Sequence, residues 1–468
     1  MSYRRLAGTK ERLGSIPDDD NSPMLCFSLF SDAQLNARNS ARGSIRVLYY
    51  IAYYQRMAGA NRSLFELIAH LPKTVTPLVV LAGEGRAAEA YRNAGIEVVV
   101  LPPGRSLNQF GKAMLSWSLP RQLWVGVSEL LPYTFQCLSL IQDWQPDIIH
   151  VNGARGALTI GLAARLADCP VVGHLRGEMP FAGIAQTIFE TVSDRIITVC
   201  WAIQSCLSAA ARTKAVTVYN GIQEVAVRGK PSPWLAALKA EGQLMVGCFA
   251  SVVPFKGHHH LLDAVAELNR RGWRDRVMFI CVGDIESEYQ EYANGLMQRQ
   301  QELGIDNVTF TGWQSDPFPF YQLADIEVLP SVSREWFNSG DRAIEIRGNE
   351  GFPRTHLEAM ALGLPVVGTA IAGVREQIEE GVTGFVVPPA DAVALADALE
   401  RLLSDPQLRQ DLGKAGRDRV KRLFSTDAYV SGVMQVYEAL LSERPDRASF
   451  EQPTVPAYPP AESKLKVL

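Results

Sequence analysis

A chain of 468 residues with no surplus of positive charge, no paired cysteines and no long apolar run is excluded from several classes of protein at once. Its 46 Lys and Arg are outnumbered by 50 Asp and Glu, for a formal net charge of −4, whereas a nucleic-acid partner would demand a basic face. Seven cysteines, at 26, 137, 169, 200, 206, 248 and 281, are scattered and odd in number. None forms a C-x-x-C pair, so neither a disulfide framework nor a zinc site is indicated, and a reducing cytoplasm fits best. No segment reaches the roughly 18 uninterrupted apolar residues needed to span a bilayer. Arg4, Arg5, Lys10 and Arg12 are followed by no compact apolar block with a cleavage site, and Met24 to Phe30 is too short and too late for a signal peptide. The expectation is a soluble cytoplasmic protein, with peripheral contact at the inner face of the cell membrane left open. A dinucleotide fingerprint is also missing. Only Gly59 stands between residues 51 and 63, where an oxidoreductase or epimerase would need G-x-G-x-x-G after its first strand. No periodic repeat is apparent.

What is present divides in two. The length suggests two domains, and 47% hydrophobic residues supply two cores. Residues 1–44 read as an irregular extension, with Asp18-Asp19-Asp20 and a Ser/Asn/Arg-rich stretch. From Ile45 short β-rich runs alternate with helical patterns: Ile45 to Ile51, Leu78 to Leu81, Glu97 to Leu101, Ile148 to Val151, Val171 to His174 and Ile196 to Val199. This is a doubly wound α/β domain over 45–222. A linker follows at 223–243, marked by Pro231 and Pro233. A second set fills 244–423, with strands at Met245 to Ala250, Val277 to Val282, Val308 to Phe310, Ile326 to Leu329, Pro365 to Gly368 and Gly384 to Val387. A last helix covers 424–442, and the proline-containing tail from 443 to 468 reads as disordered. Between Leu107 and Trp144, apolar residues at 123, 127, 130, 131, 135, 138 and 141 recur at helical spacing. They suit helices packed on the sheet, or a face that touches lipid or a lipid-linked acceptor.

The most informative run is Glu350-Gly351-Phe352-Pro353-Arg354-Thr355-His356-Leu357-Glu358, continuing as Ala-Met-Ala. Its first carboxylate lies in a turn and its second in a helix. Pro353 suits a first helical turn, where its missing N–H is not needed, and the helix should stop at Gly363 before Pro365. Such a helix start offers free N–H groups and a positive dipole end to a phosphate. A carboxylate on each side can then hold sugar hydroxyls at two points of one nucleotide-sugar ligand. The plainer alternative is a surface turn before an ordinary core helix.

This run resembles the E-x7-E signature of retaining glycosyltransferases of the GT4 type, and the resemblance extends over about residues 45 to 442. It implies the GT-B fold, in which two Rossmann-like doubly wound domains face each other across a cleft and the last helix crosses back onto the first domain. Glu350 would hold hydroxyls of the transferred sugar, and Glu358 the ribose diol. Gly351, Phe352, Pro353, Arg354 and Thr355 would belong to the donor site. Lys256, in Phe255-Lys256-Gly257, resembles the lysine that holds the donor pyrophosphate. The role suits it, because a leaving diphosphate gains charge that a positioned ammonium stabilises. Five residues earlier, where the family commonly has an arginine, this chain has Ser251, with Arg354 and Arg375 as candidate substitutes.

Gly283 and Trp313, at strand ends, match segments near the nucleobase, where the Trp313 backbone is placed to read the base edge. Gly59, Asn61 and Arg62 occupy the position of the family's glycine-rich loop near phosphate and acceptor, with one glycine where two are usual. His174 resembles a histidine that sits against the transferred sugar, or is a buried structural residue. His258-His259-His260 point about 100° apart on a helix and cannot all bind one ion, so a solvated or helix-start reading is preferred. The only D-x-D lies in the extension, whereas metal-dependent GT-A enzymes place it in the core. No metal or other cofactor is therefore expected. Residues 332–349, with Arg334, Glu335, Asp341, Arg342, Glu345 and Arg347, depart from the family and read as an exposed loop, either a lid, an acceptor-recognition element or a passive insertion.

The reading implied is a retaining glycosyltransferase that moves a sugar from a nucleoside diphosphate to a saccharide or lipid-linked alcohol, with cell-surface polysaccharide or glycolipid assembly as its setting. The alternative is a non-catalytic nucleotide-sugar-binding or scaffold protein of the same fold.

Overall fold

The computed structural model describes residues 44–443, apart from 56, 58, 109–116, 178–182, 224–232, 234–236, 238–241, 340–341 and 349. The extension, most of the linker and the tail therefore lie outside the described residues. Seven strands form the first sheet: β1 (Ile45–Ile51), β2 (Val75–Leu81), β3 (Glu97–Val100), β4 (Ile148–Asn152), β5 (Val171–Leu175), β6 (Arg195–Thr198) and β7 (Ala215–Thr217). Their order is β3-β2-β1-β4-β5-β6-β7, and every pairing is parallel. Strand order reverses between β1 and β4, and at such a reversal the carboxyl ends leave a crevice. β1 is apolar at six of its seven positions because helices cover both faces of a parallel sheet.

The second sheet holds β8 (Leu244–Cys248), β9 (Val277–Val282), β10 (Val308–Gly312), β11 (Ile326–Leu329), β14 (Val366–Thr369) and β15 (Gly384–Val387). Its order, β10-β9-β8-β11-β14-β15, reverses between β8 and β11. The molecule is thus two parallel-sheet α/β domains, the architecture that the GT-B resemblance implies. Helix α1 (Gly59–Ala69) turns Leu64, Leu67 and Ile68 onto the first sheet. The final helix, here α8 (Thr426–Ser442), is capped by the Ser425 hydroxyl, which accepts from the Ala428 N–H at 3.2 Å. It buries Tyr429, Val433, Tyr437 and Leu440 in the same core as β1 and β2.

Three sequence expectations change. Strand β7 has only three residues and gave no β-rich run. The exposed loop expected over 332–349 contains an antiparallel hairpin of β12 (Arg334–Ser339) and β13 (Arg342–Arg347). Its residues alternate in their surroundings: Phe337 and Ile346 are buried, while Arg334 and Trp336 are exposed. The mixed charges concealed that period of two. Third, the helical stretch after Pro120 does pack on the sheet, but largely through another face: of the positions expected, Ile141 is buried and Leu130 and Leu138 are half-buried, while 127, 131 and 135 are exposed. A π turn at Gly126–Leu130 precedes α3 (Leu131–Trp144) and shifts its register. Tyr133, Cys137, Leu140, Ile141 and Trp144 consequently face inward, while Trp124, Val127, Leu131 and Phe135 stand exposed, as do Leu162 and Leu166 of α4 (Ala154–Leu166). Among the described residues, no helix is long and apolar enough to cross a membrane.

Candidate active site

The Glu350–Pro353 turn leads into α7 (Arg354–Ala361), with Pro353 at the N-cap position and Gly363 in the left-handed conformation (φ 80°) beyond the helix end. Glycine is required at 351 by its neighbour in the other domain. A β-carbon there would lie 2.1 Å from the Arg176 carbonyl oxygen, so the turn packs directly on the backbone after β5. Phe352 is buried, stacked on Tyr219 with ring centroids 5.1 Å apart and set edge-on to Phe424. Its ring thus joins the two domains.

Glu350 forms an ion pair with Lys256 and accepts a 3.4 Å hydrogen bond from Ser331. Lys256 ends a short turn after β8, and Gly257 (φ 71°) follows, where a β-carbon would strike the Pro330 carbonyl at 1.9 Å. Glu358 is buried on α7, accepts from the Tyr321 hydroxyl at 3.1 Å and lies 3.5 Å from the Arg354 guanidinium. Tyr321 stacks on Phe249, and burial and the Glu358 charge raise its phenol well above the ordinary range. Arg354 donates to the Gly221 carbonyl at 3.2 Å and to Ser63 at 3.3 Å, bridging both domains. The Thr355 hydroxyl is buried with no hydrogen-bond partner.

From the first domain comes a buried polar chain. Tyr437 donates to Tyr49 and meets His150 Nδ1 at 2.6 Å, and His150 Nε2 meets His174 Nδ1 at 3.1 Å. His174 Nε2, also buried, has no partner. Burial and then the Arg176 charge push both imidazoles well below their ordinary value, so both are neutral near pH 7. Arg176 is held by Asn152, Asn220 and Tyr429, each at 2.8 Å, while its buried Nη2 bonds to nothing. Arg176 was not among the site residues expected from sequence. Its signal was its place one residue past a strand end, in His174-Leu175-Arg176-Gly177; Glu178 of the same run lies outside the described residues.

The remaining candidates ring these groups. Asn61 is buried on α1, donates to the Tyr53 carbonyl at 2.6 Å and accepts from Asn152. Arg62 is exposed, and its charge works to lower the Tyr321 phenol. Gly59 opens α1, with open space where a β-carbon would go. Gly283 lies against Ala250 and the half-buried Ser251, where a β-carbon would sit 2.0 Å from the Ala250 carbonyl. Trp313 is exposed, with the Arg86 guanidinium from α2 (Arg86–Asn93) 5.1 Å over its ring. Arg375 is exposed and lines a surface hollow with Ile378, Glu379 and Arg419.

The histidine run starts α5 (His258–Arg270), as one of its two readings held, but it is not solvated. His258 is buried beside Cys248 and Cys281, while His259 and His260 both donate to Glu335 of the hairpin. Burial works to raise the Glu335 carboxyl, and the two histidine bonds outweigh it, bringing the group to about 2. Helix position alone could not reveal this, because β12 supplies the partner.

Residues 236–419 match the family described as glycosyl transferases group 1, and residues 57–224 match glycosyltransferase family 4. Similar proteins include the capsular polysaccharide biosynthesis glycosyltransferase CapM of Staphylococcus aureus, 28% identical over 42% of this chain and 47% of that protein. The D-inositol 3-phosphate glycosyltransferase of Frankia alni is 28% identical over 65% of this chain and 71% of that one. The matches to CapM and to the corresponding Saccharomonospora viridis enzyme span about half of those relatives' lengths, 47% and 46%. Among solved structures, Anabaena HepE in complex with UDP and glucose superposes with a TM-score of 0.68 at 21% identity, covering 84% of this chain and 100% of that one. Sucrose-phosphate synthase from Thermosynechococcus elongatus superposes with a TM-score of 0.63 at 18% identity, covering 85% and 100%. At these identities the superpositions speak for the fold.

Proposed function

From the premise that the chain belongs to the group 1, GT4-type glycosyltransferases, we propose that it transfers a sugar from a nucleoside diphosphate to an alcohol acceptor with retention of anomeric configuration. The observation that carries this is the meeting of Lys256 and Glu350 on the edge of a turn that packs against Arg176 of the opposite domain. The same site leaves three buried polar atoms without partners: His174 Nε2, which the Tyr49–Tyr437–His150 chain leaves as an acceptor, and Arg176 Nη2 and the Thr355 hydroxyl as donors. Burying an unpaired polar group costs free energy, and a polyhydroxylated, anionic ligand would satisfy all three.

In this reading the incoming donor separates the ion pair. Lys256 turns to the pyrophosphate, where negative charge grows as the glycosidic bond breaks, and Glu350 turns to hydroxyls of the sugar. Glu358 holds the ribose diol, exchanging its bond from Tyr321 for the ligand. The N–H groups at the start of α7 add positive potential at the phosphates. No carboxylate is assigned as a nucleophile on the sugar. The leaving phosphate itself helps take the acceptor's proton, while the site stabilises an oxocarbenium-like state. In this reading the neutral His174 hydrogen-bonds the sugar through Nε2, which is supported by that atom's burial without a partner. Metal is not needed for the leaving group, because Lys256 and the helix start meet its charge.

HepE was crystallised with UDP and UDP-glucose, which makes UDP-sugars the first donors to test. The exposed Trp124, Val127, Leu131 and Phe135 support a peripheral site at the inner face of the cell membrane, close to a lipid-linked acceptor. The experiment is turnover by purified protein with UDP-, GDP- and ADP-sugars, with and without EDTA, set beside equilibrium binding of the same donors. Donor consumption that survives EDTA and yields an α-product from an α-donor supports the reading. Tight donor binding with no turnover on any acceptor would replace it with a binding or scaffold role.

A further inference from the structure

The hairpin that departs from the family is fastened to the donor domain by an arrangement that needs explaining. Inward-facing positions on β12 carry Glu335 and Phe337. Phe337 packs on His259 and on Tyr292 of α6 (Gln290–Glu302), as an apolar residue should. Glu335, two residues earlier, brings a carboxylate to the same half-buried seam. It meets His259 Nε2 at 2.6 Å and His260 Nε2 at 2.9 Å, although consecutive helical side chains diverge by about 100°. Both rings are turned so that their outer nitrogens converge on one point.

The geometry points to a binding site for a divalent transition-metal ion, Zn²⁺ in the first instance, formed by His259, His260 and Glu335. One ligand atom from each residue lies within 4.8 Å of the others. Metal–ligand bonds of about 2.0–2.2 Å place tetrahedral neighbours roughly 3.3 Å apart, so an ion fits once the present N–O separations of 2.6 and 2.9 Å open by about 0.7 and about 0.4 Å. Two imidazoles and one carboxylate suit a borderline ion such as zinc. His259 also has its orienting partner in place: Nδ1 lies 2.8 Å from the Tyr292 hydroxyl. Binding of the ion displaces the Nε2 proton that now bonds Glu335; the ring then takes the other tautomer, Nδ1–H donates to Tyr292 and Nε2 offers its lone pair to the ion. His260 and Glu335 remain 15% and 17% exposed, which leaves a path to solvent and a fourth position for water. An ion here ties the start of α5, two residues after Lys256, to a hairpin that ends three residues before Glu350. It acts as a clasp beside the transferring groups and takes no part in the transfer.

The test uses the full chain, purified through a histidine-free tag and stripped with EDTA. Zn²⁺ is then titrated in competition with a chromogenic chelator. One ion per chain should bind, raise the melting temperature and slow hydrogen exchange in residues 334–347. His260→Ala and Glu335→Gln should each weaken binding on the order of tenfold or more, while His70→Ala, at an exposed histidine elsewhere, should not. Because His260 lies at the surface end of the site, His260→Gln provides a conservative second variant whose fold is checked by circular dichroism. Co²⁺ supplies a signature: visible d–d bands without an intense near-ultraviolet thiolate band. Absence of binding at one equivalent, equal affinity in all variants, or a thiolate band locating the ion at Cys248, His258 and Cys281 would each overturn the assignment.

Discussion

The two domains bring opposite kinds of polarity to the space between them. The first offers neutral groups fixed by burial: His150 and His174, the Tyr49 and Tyr437 hydroxyls, and Asn61, Asn152 and Asn220, with Arg176 as their single charge. The second offers charges already paired, Lys256 with Glu350 and Arg354 with Glu358, and deeper down a buried hydrogen bond between His356 and Glu327. A neutral network cannot trade partners without leaving buried groups unsatisfied, so it holds its shape. An ion pair at the rim can open for a charged ligand. The difference separates a rigid wall from a responsive one.

The largest effect expected lies where a pair cannot open. His356 and Glu327 are both fully buried and meet at 2.7 Å. Glu327→Ala should destabilise the protein by about 3–5 kcal/mol, read from urea unfolding, because it leaves the buried imidazole without its hydrogen-bond partner and opens a cavity beside it. A loss under about 1 kcal/mol would mean that the pair is not set against a dry core.

At the rim the same kind of substitution should act on turnover instead. Lys256→Ala should lower kcat on the order of 10²–10³-fold and weaken donor binding if, as proposed, it faces charge that grows during the reaction. Glu350→Ala should stop transfer yet leave binding of the free nucleoside diphosphate intact or tightened, because it releases Lys256. Calorimetry with the nucleotide alone, set against turnover with the full donor, distinguishes them. Loss of nucleotide binding in Glu350→Ala would reverse the assigned sugar and ribose ends.

Gly351→Ala probes the seam between the domains. Its β-carbon would lie 2.1 Å from a backbone oxygen that cannot swing away, so a cost of about 1–3 kcal/mol is expected, with reduced turnover. Gly59→Ala, with open space around it, should stay within about 0.5 kcal/mol of the parent. Equal thermal shifts for the two would remove the steric argument.

The smallest effect is a pH slope. His150 and His174 hold folded-state values well below ~6.5, their ordinary unfolded value. As pH falls below ~6.5 the unfolded chain takes up protons that the folded chain refuses, so the contribution to stability is full above that point and is lost below it. Urea midpoints should therefore drop between about pH 7 and about pH 5, and His150→Gln should flatten the drop. An unchanged slope in that variant would place the acid sensitivity elsewhere.

Most strands of both sheets were legible because a parallel strand buried on two faces leaves a run of Val, Ile and Leu that no helix or loop shares. β1, Val277–Val282, Ile326–Leu329 and Gly384–Val387 coincide with their sequence expectations residue for residue. The residues flanking α7 were legible as well, since Gly351, Pro353, Gly363 and the two glutamates form one local pattern. Partnership was not legible. That Glu350 faces Lys256 across 94 positions, that Gly351 abuts Arg176, and that Glu335 gathers two histidines are long-range facts. The sequence by itself determined the alternation of strands and helices, the glycine and proline punctuation and the set of polar and charged groups proposed here to hold a nucleotide sugar. Only the tertiary structure decided which of those groups are satisfied by one another and which are left for a ligand, because hydrogen bonds and ion pairs between distant segments depend on packing that no local spacing encodes.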